Sequence, residues 1–310
     1  MKRDRTYWIR LARLAAVALV GGLAVAYAGS AIVSGRVYAH TLAHPGCGDT
    51  GQTPADLGIA SAQDITYQTQ PHGSAGRLTL RAWYVPPENG VVILLLPGLG
   101  GGRDGMLREG AILARHGYGL LMTELRSCVH PKGQTTLGHY ESDDLQDAVT
   151  WALEQPDVEH VGVLGYSLGG VTATLGAAKD ERVEATVAEG GFYDLAADIV
   201  NEGGTNSLWE TIMFQSILVS FQLETGVRAK DVSPISVIDR ISPRPLFLIY
   251  GELEAGPTHP FEQMERAGEP KQLWIVPGAW HGGYLDVAAE EWEQRVVGFF
   301  DTAFGLPGHE

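Results

Sequence analysis

Residues 91–97 read VVILLLP, six large apolar residues in succession closed by a proline. No polar side chain interrupts the run, so a strand here has to be covered on both faces. Sheets flanked by helices on each side meet that condition, and the rest of the chain supplies the partners. YGLLMTE (118–124), HVGVLGY (160–166), VEATVAEGG (183–191), RPLFLIYG (244–251) and KQLWIVPG (271–278) read as further strands. Between them, 141–155 places Leu145, Ala148, Val149 and Ala152 on one helical face, and LGGVTATLGAA (168–178) is an apolar helix. The chain closes on a helix expected to bury Trp292, Val296, Phe299, Phe300 and Ala303. Such alternation predicts right-handed crossovers and an α/β fold with a mostly parallel central sheet. Two earlier segments, DITYQTQ (64–70) and RLTLRAWYV (77–85), alternate with period two and read as an opening antiparallel pair.

The alternation breaks between 192 and 240, where LWETIMFQSILVSFQLETG (208–226) reads as a small helical cap over the C-terminal edge of the sheet. Ligands bind at that edge in open α/β folds. The apolar cap residues Leu208, Trp209, Ile212, Met213 and Phe214 suit a lipid-like acyl chain, or equally a helix packed on the core.

The N-terminus has a different character. Residues 1–13 hold five of the 22 basic residues and one of the 37 acidic ones, so the remainder carries 17 against 36, a net charge of −19. A body of that charge repels nucleic acid and anionic lipid surfaces, which excludes a nucleic-acid partner. Residues 14–33 contain no charge and span about 30 Å as a helix, the thickness of a bilayer's hydrocarbon core. The arginines preceding them orient residues 1–13 to the cytoplasm. A signal-anchor over 14–33 is expected, a linker over 34–58, and an extracytoplasmic domain over 59–310 anchored at the cell membrane. The alternative is a cleaved signal peptide, for which Ala26-Tyr27-Ala28 offers a site, and a secreted domain.

Cys47 and Cys128 are the two cysteines. C-x-x-C is absent and no His/Cys cluster shows ligand spacing, so no metal site is expected. Outside the cytoplasm the pair can persist as a disulfide.

At 161–170, VGVLGYSLGG places Gly165-x-Ser167-x-Gly169 between a strand and a helix. This is the pattern of a nucleophile elbow, a turn that raises the serine hydroxyl while the helix N-terminus faces developing negative charge. A serine nucleophile needs a base, and the base an orienting acid. Of the histidines after Ser167, His309 is penultimate and His259 follows Glu254 too soon. His281 lies in a short loop after a strand. Glu252 and Glu254 both follow RPLFLIYG; Glu254 is the favoured acid and Glu252 the reserve. The oxyanion hole would be made by the N–H groups of Leu168 and of Leu99, the latter in the loop PGLGGG.

These pieces together resemble the α/β-hydrolase superfamily, and within it the serine aminopeptidase/monoacylglycerol-lipase-like branch of membrane-tethered bacterial members. The similarity is carried by TPADLGI, RAWYVPP, VVILLLPGLGGGRDGML, VGVLGYSLGG, ISPRPLFLIYGELE, GEPKQLWIVPGAWHGGY and RVVGFFDTAF, in consistent order over about residues 53–305. The resemblance implies an α/β-hydrolase fold with Ser167 as nucleophile, His281 as base and Glu254 where the family usually has Asp. The chain has Pro97-Gly98 where the family usually has His-Gly. ELRSCVHPKG (124–133) stands in place of a D-x-R-G-x-G-x-S stretch, with Cys128 at the position of a tight glycine turn. The implied activity is cofactor-free hydrolysis of an ester, thioester or amide in a small-molecule or lipid-like acyl substrate. One alternative is an inactive hydrolase-fold binding module. The other is a dinucleotide-binding oxidoreductase, with Gly100, Gly102 and Gly105 as the glycine fingerprint and Glu124 as the ribose acid.

Overall fold

The computed structural model describes residues 5–71, 76–129, 133–200, 204 and 206–307. The apolar run becomes strand β3 (Val91–Leu96), with all six side chains buried. It lies inside an eight-stranded sheet completed by β1 (Gln63–Gln68), β2 (Thr79–Val85), β4 (Gly119–Thr123), β5 (His160–Tyr166), β6 (Ala185–Glu189), β7 (Leu246–Gly251) and β8 (Lys271–Val276). The order is β1-β2-β4-β3-β5-β6-β7-β8. β1 and β2 are antiparallel to their neighbours, and every pair from β4 onward is parallel.

The pleat of β3 sorts its side chains between two cores. Ile93 and Leu95 meet α2 (Leu107–Arg115) and α9 (Tyr284–Phe304) on one face of the sheet. Val92, Leu94 and Leu96 meet α3 (Glu141–Leu153) and α4 (Leu168–Lys179) on the other. Trp292, Val296, Phe299 and Phe300 of α9 are buried, each contributing on the order of 2 kcal/mol. Gly162 admits them: a Cβ there would lie 3.1 Å from the Phe300 ring and 2.8 Å from Ile93.

The 192–240 region contains α5 (Leu195–Val200) and α6 (Leu208–Thr225). α6 starts on a capping box, in which the Glu210 N–H donates to Ser207 Oγ and the Ser207 N–H to the Glu210 carboxylate. It ends on Gly226 at φ 76°, a left-handed cap that a glycine adopts without a Cβ penalty. Ile217 and Phe221 are buried in one apolar cluster with Val171 and Leu175 of α4, the helix that follows the elbow.

The N-terminal helix α1 (Arg5–Ala43) has 39 residues, about 58 Å of helix, and is long and apolar enough to cross a membrane. Its two halves have different surroundings. Leu14, Val17, Leu19 and Val25 are exposed, whereas Ala31, Gly35, Ala39 and Ala43, four residues apart, are buried. These small side chains form a stripe along which α6 packs closely, in the manner of small-residue helix contacts. Ser216 Oγ donates to the Ile32 carbonyl at 2.8 Å and Trp209 Nε1 to Ser30 Oγ at 3.0 Å. The helix therefore continues ten residues into the stretch expected to be a linker. The cap residues are also occupied differently from an acyl-chain site: Met213 and Phe214 pack on the core and Trp209 binds α1.

After α1, Cys47 is disulfide-bonded to Cys128, with 4.9 Å between their Cα atoms. Cys128 ends a 3₁₀ turn after β4. The segment following Cys47 lies along the loop after β3. The Gly48 N–H donates to the Gly100 carbonyl at 2.6 Å, the Gly102 N–H donates to Gly48 at 3.1 Å, and Thr50 donates to Asp104. Beneath the bridge, the buried Arg126 makes two hydrogen bonds to Asp144, at 2.7 and 3.1 Å.

Alkylation of the denatured, non-reduced chain is expected to add no label. The Cys47→Ser/Cys128→Ser chain is expected to lose about 2–4 kcal/mol of stability in urea unfolding relative to the oxidised protein.

Candidate active site

The elbow is set by the close approach of α4 to the sheet. Ser167 is the N-cap of α4, at φ 55° and ψ −115°. For a non-glycine residue this conformation is costly and persists only where its surroundings enforce it. Those surroundings are glycine. A Cβ on Gly165 would overlap the backbone of Gly169, one on Gly169 would overlap the backbone of Leu96, and one on Gly170 would lie 2.9 Å from the Glu189 carbonyl. The Ser167 N–H donates to that same carbonyl at 2.6 Å.

His281 follows β8 and faces the serine, with Nε2 2.9 Å from Ser167 Oγ and Nδ1 2.5 Å from Glu254 Oε2. Its ring lies 5.0 Å from that of Tyr166, and its side chain is 43% exposed, so the pair opens to solvent. Glu254 is buried. Hydrogen bonds between the loops after β7 and β8 bring it there: Glu252 N–H to the Val276 carbonyl, and Leu253 N–H to the Ala279 carbonyl. Burial pushes the Glu254 carboxyl up. The hydrogen bonds from His281, the Gly251 N–H and the Tyr284 hydroxyl outweigh this and hold it below the ordinary carboxylate value, so it stays anionic. Glu252, the reserve acid, is turned away and accepts from the Gly278 N–H at 2.8 Å. His259 pairs with Glu262 and lies against Tyr193. His309 lies outside the described residues, as do His130, Pro131 and Lys132 of the altered stretch after β4.

Leu168 is the first residue of α4, and its N–H has no intrahelical partner. Gly98, in the loop after β3, lies against the elbow: a Cβ there would be 3.3 Å from that of Ser167 and 3.1 Å from the Tyr166 ring. Leu99 follows on the rim, 42% exposed. Both amides expected to bind an oxyanion thus belong to segments adjoining Ser167.

The structure removes the dinucleotide alternative. Glu124 is buried and bound by the Arg81 N–H and guanidinium at 2.7–3.0 Å. Gly100 and Gly102 are hydrogen-bonded to Gly48, so the acid and two of the three glycines are already engaged within the protein.

Two contributors escaped the sequence reading. Tyr284 donates to Glu254 Oε1, and its position three residues after the histidine in HGGY was the available signal. Gly190, at φ 63°, adjoins the imidazole: a Cβ would lie 2.8 Å from Nδ1 and Cε1 of His281. The EGG that ends β6 marks it. Glu189, just before it, is buried and accepts from Trp292 Nε1 at 2.6 Å. Burial, and after it the charge of Glu109, raise the Glu189 carboxyl well above its ordinary value.

The sequence model of the family described as X-Pro dipeptidyl-peptidase (S15 family) matches residues 15–283. The YqkD protein of Bacillus subtilis (strain 168), itself uncharacterised, is 29% identical over 197 residues, covering 60% of this chain and 63% of its own length. The chain thus spans less than two thirds of that relative. Among solved structures, the Pyrococcus furiosus esterase Pf2001 superimposes with a TM-score of 0.66 at 22% identity, over 84% of this chain and 98% of that one. The α/β hydrolase GrgF from Penicillium gives 0.61 at 22% identity, over 79% and 99%. At that identity the two structures report the shared α/β-hydrolase fold.

The raised Glu189 gives a signed pH dependence. Its folded form keeps a proton that the unfolded form releases above the ordinary glutamate value of 4.5, so its contribution to stability falls as pH rises from there. Glu189→Gln removes that loss. Its gain in melting temperature over the parent is expected to be larger at pH 8 than at pH 5, as measured by calorimetry.

Proposed function

The chain belongs to the X-Pro dipeptidyl-peptidase (S15) family of serine hydrolases, and from that premise we propose that Ser167, His281 and Glu254 are its catalytic triad. The hydrogen-bonded series from Glu254 through His281 to Ser167, 2.5 and 2.9 Å long, carries this reading. His281 Nε2 takes the proton of Ser167 as its oxygen attacks a carbonyl carbon. The Leu168 and Leu99 N–H groups receive the negative charge that forms on the carbonyl oxygen. The histidine then gives its proton to the leaving alcohol, thiol or amine, which leaves an acyl-enzyme. Water, deprotonated by the same nitrogen, releases the acid. Glu254 holds Nδ1 protonated and stabilises the imidazolium. Its own anionic state is maintained by the Gly251 N–H and the Tyr284 hydroxyl. A glutamate serves here because its loop is held one helical turn from β7 by the Glu254 N–H bond to Gly251.

The substrate class we assign is a small ester, thioester or amide with an apolar acyl portion. Leu99 in the oxyanion loop, Leu253 beside the acid and Trp280 beside the base are all exposed apolar side chains, which supports this reading. The family description adds the peptide bond after an Xaa-Pro pair as a specific candidate. We also assign the exposed half of α1 to the membrane, as an uncleaved anchor with the domain outside the cytoplasm. The disulfide supports an oxidising compartment. Cleavage after Ala28 is the alternative, since it would leave the docked residues 29–43 in place.

Turnover of p-nitrophenyl esters and of Xaa-Pro p-nitroanilides by the purified chain tests both parts. Ser167→Ala is expected to lower kcat by on the order of 10⁶-fold and Glu254→Gln by on the order of 10⁴-fold, with KM little changed. Full turnover by Ser167→Ala would overturn the triad, and the preferred substrate decides between acyl ester and peptide.

A further inference from the structure

His40, in the last turn of α1, and His44, the residue just after that helix, lie four residues apart, and both face Glu224 in the last turn of α6. His40 Nδ1 lies 3.0 Å from Glu224 Oε1, and His44 Nε2 lies 3.9 Å from Oε2. The ligand atoms of the three side chains all lie within 4.8 Å of one another. Glu224 Oε2 is buried without a hydrogen-bond partner, because 3.9 Å is beyond the reach of a donor on His44. A buried carboxylate oxygen left in that state is costly, and the two nearest groups both present lone-pair nitrogens when neutral.

We propose that His40, His44 and Glu224 form a binding site for one divalent transition-metal ion, zinc being the best match, which clamps the end of α1 to α6. Two imidazoles and a carboxylate are a donor set that zinc accepts at about 2.0–2.2 Å. Tetrahedral placement at that range sets the donors roughly 3.4 Å apart, between the 3.0 and 3.9 Å separations of the two His–Glu pairs. His40 and His44 are 64% and 40% exposed, so their rings can turn to close the remaining gap, and the fourth position opens to solvent. The orphaned Oε2 gains a ligand, and two helices more than 150 residues apart in sequence gain a shared bond. Sequence inspection overlooks the site because the third donor comes from the other helix. His40-x-x-x-His44 alone is only a pair on one face.

The site is separate from the proposed triad, and its test does not depend on activity. The full chain, solubilised in detergent and purified by a tag free of histidine, is stripped with EDTA and titrated with cobalt(II). One cobalt per chain is expected, giving visible d–d absorption that equimolar zinc abolishes. His44→Ala and Glu224→Gln are each expected to weaken binding at least tenfold. Zinc is expected to raise the melting temperature of the parent and of neither variant, while melting in EDTA shows that both variants are folded. Absence of cobalt uptake by the parent, or uptake that both substitutions leave unchanged, would overturn the proposal.

Discussion

The molecule depends on one backbone conformation, that of Ser167. Holding a serine at φ 55° costs about 1–3 kcal/mol, and a chain keeps such a residue only where the surrounding structure leaves it no alternative. Here the parallel pairing of β5 with β3 and β6 fixes the end of the strand, and Gly165 and Gly169 let the first turn of α4 sit against it. The Glu189 carbonyl then takes the Ser167 N–H. Given that turn, the rest of the site follows from topology. β5, β7 and β8 are parallel and end at one edge of the sheet, so the loops after them bring Ser167, Glu254 and His281 together although 114 residues separate the serine from the histidine.

A second dependence links the N-terminal helix to the same edge. Small residues at every fourth position let α1 lie close along α6, and α6 in turn shares an apolar cluster with α4. The chain leaving α1 is bonded to Cys128, and then runs along the loop that contains Leu99, through Gly48, Thr50 and Asp104. The segment that exits the apolar helix is therefore the segment that braces the proposed oxyanion loop. Rigidity of that loop matters because a donor acts on developing charge only if it is already in place.

Much of this was legible in the sequence, for physical reasons that differ from place to place. β3 was readable because a strand covered on both faces must be apolar throughout, and α9 because its buried face recurs at helical period. Ser167, Glu254 and His281 could be picked out as candidates because a strand-to-loop transition marks each one, and the structure brings the three together. Glu252 could not be separated from Glu254 by position alone; the Gly278 N–H, which turns Glu252 away, is a contact between two loops. The docked half of α1 was hidden for a similar reason. Its residues 34–43 include Ser34, Arg36, His40 and Thr41, polar positions that read as a linker, and only the partner α6, far along the chain, makes sense of Ala31, Gly35, Ala39 and Ala43. Tyr284 and Gly190 act through contacts of the same non-local kind.

The central claim is that Ser167 is an activated nucleophile, and labelling with a fluorophosphonate followed by peptide mapping tests it most directly. The reagent reacts with a serine oxygen only where a neighbouring base removes its proton. The account predicts one phosphonate per chain on the peptide containing Ser167, with labelling abolished in His281→Ala. Folded protein that takes up no label, or that carries it on another residue, would contradict it.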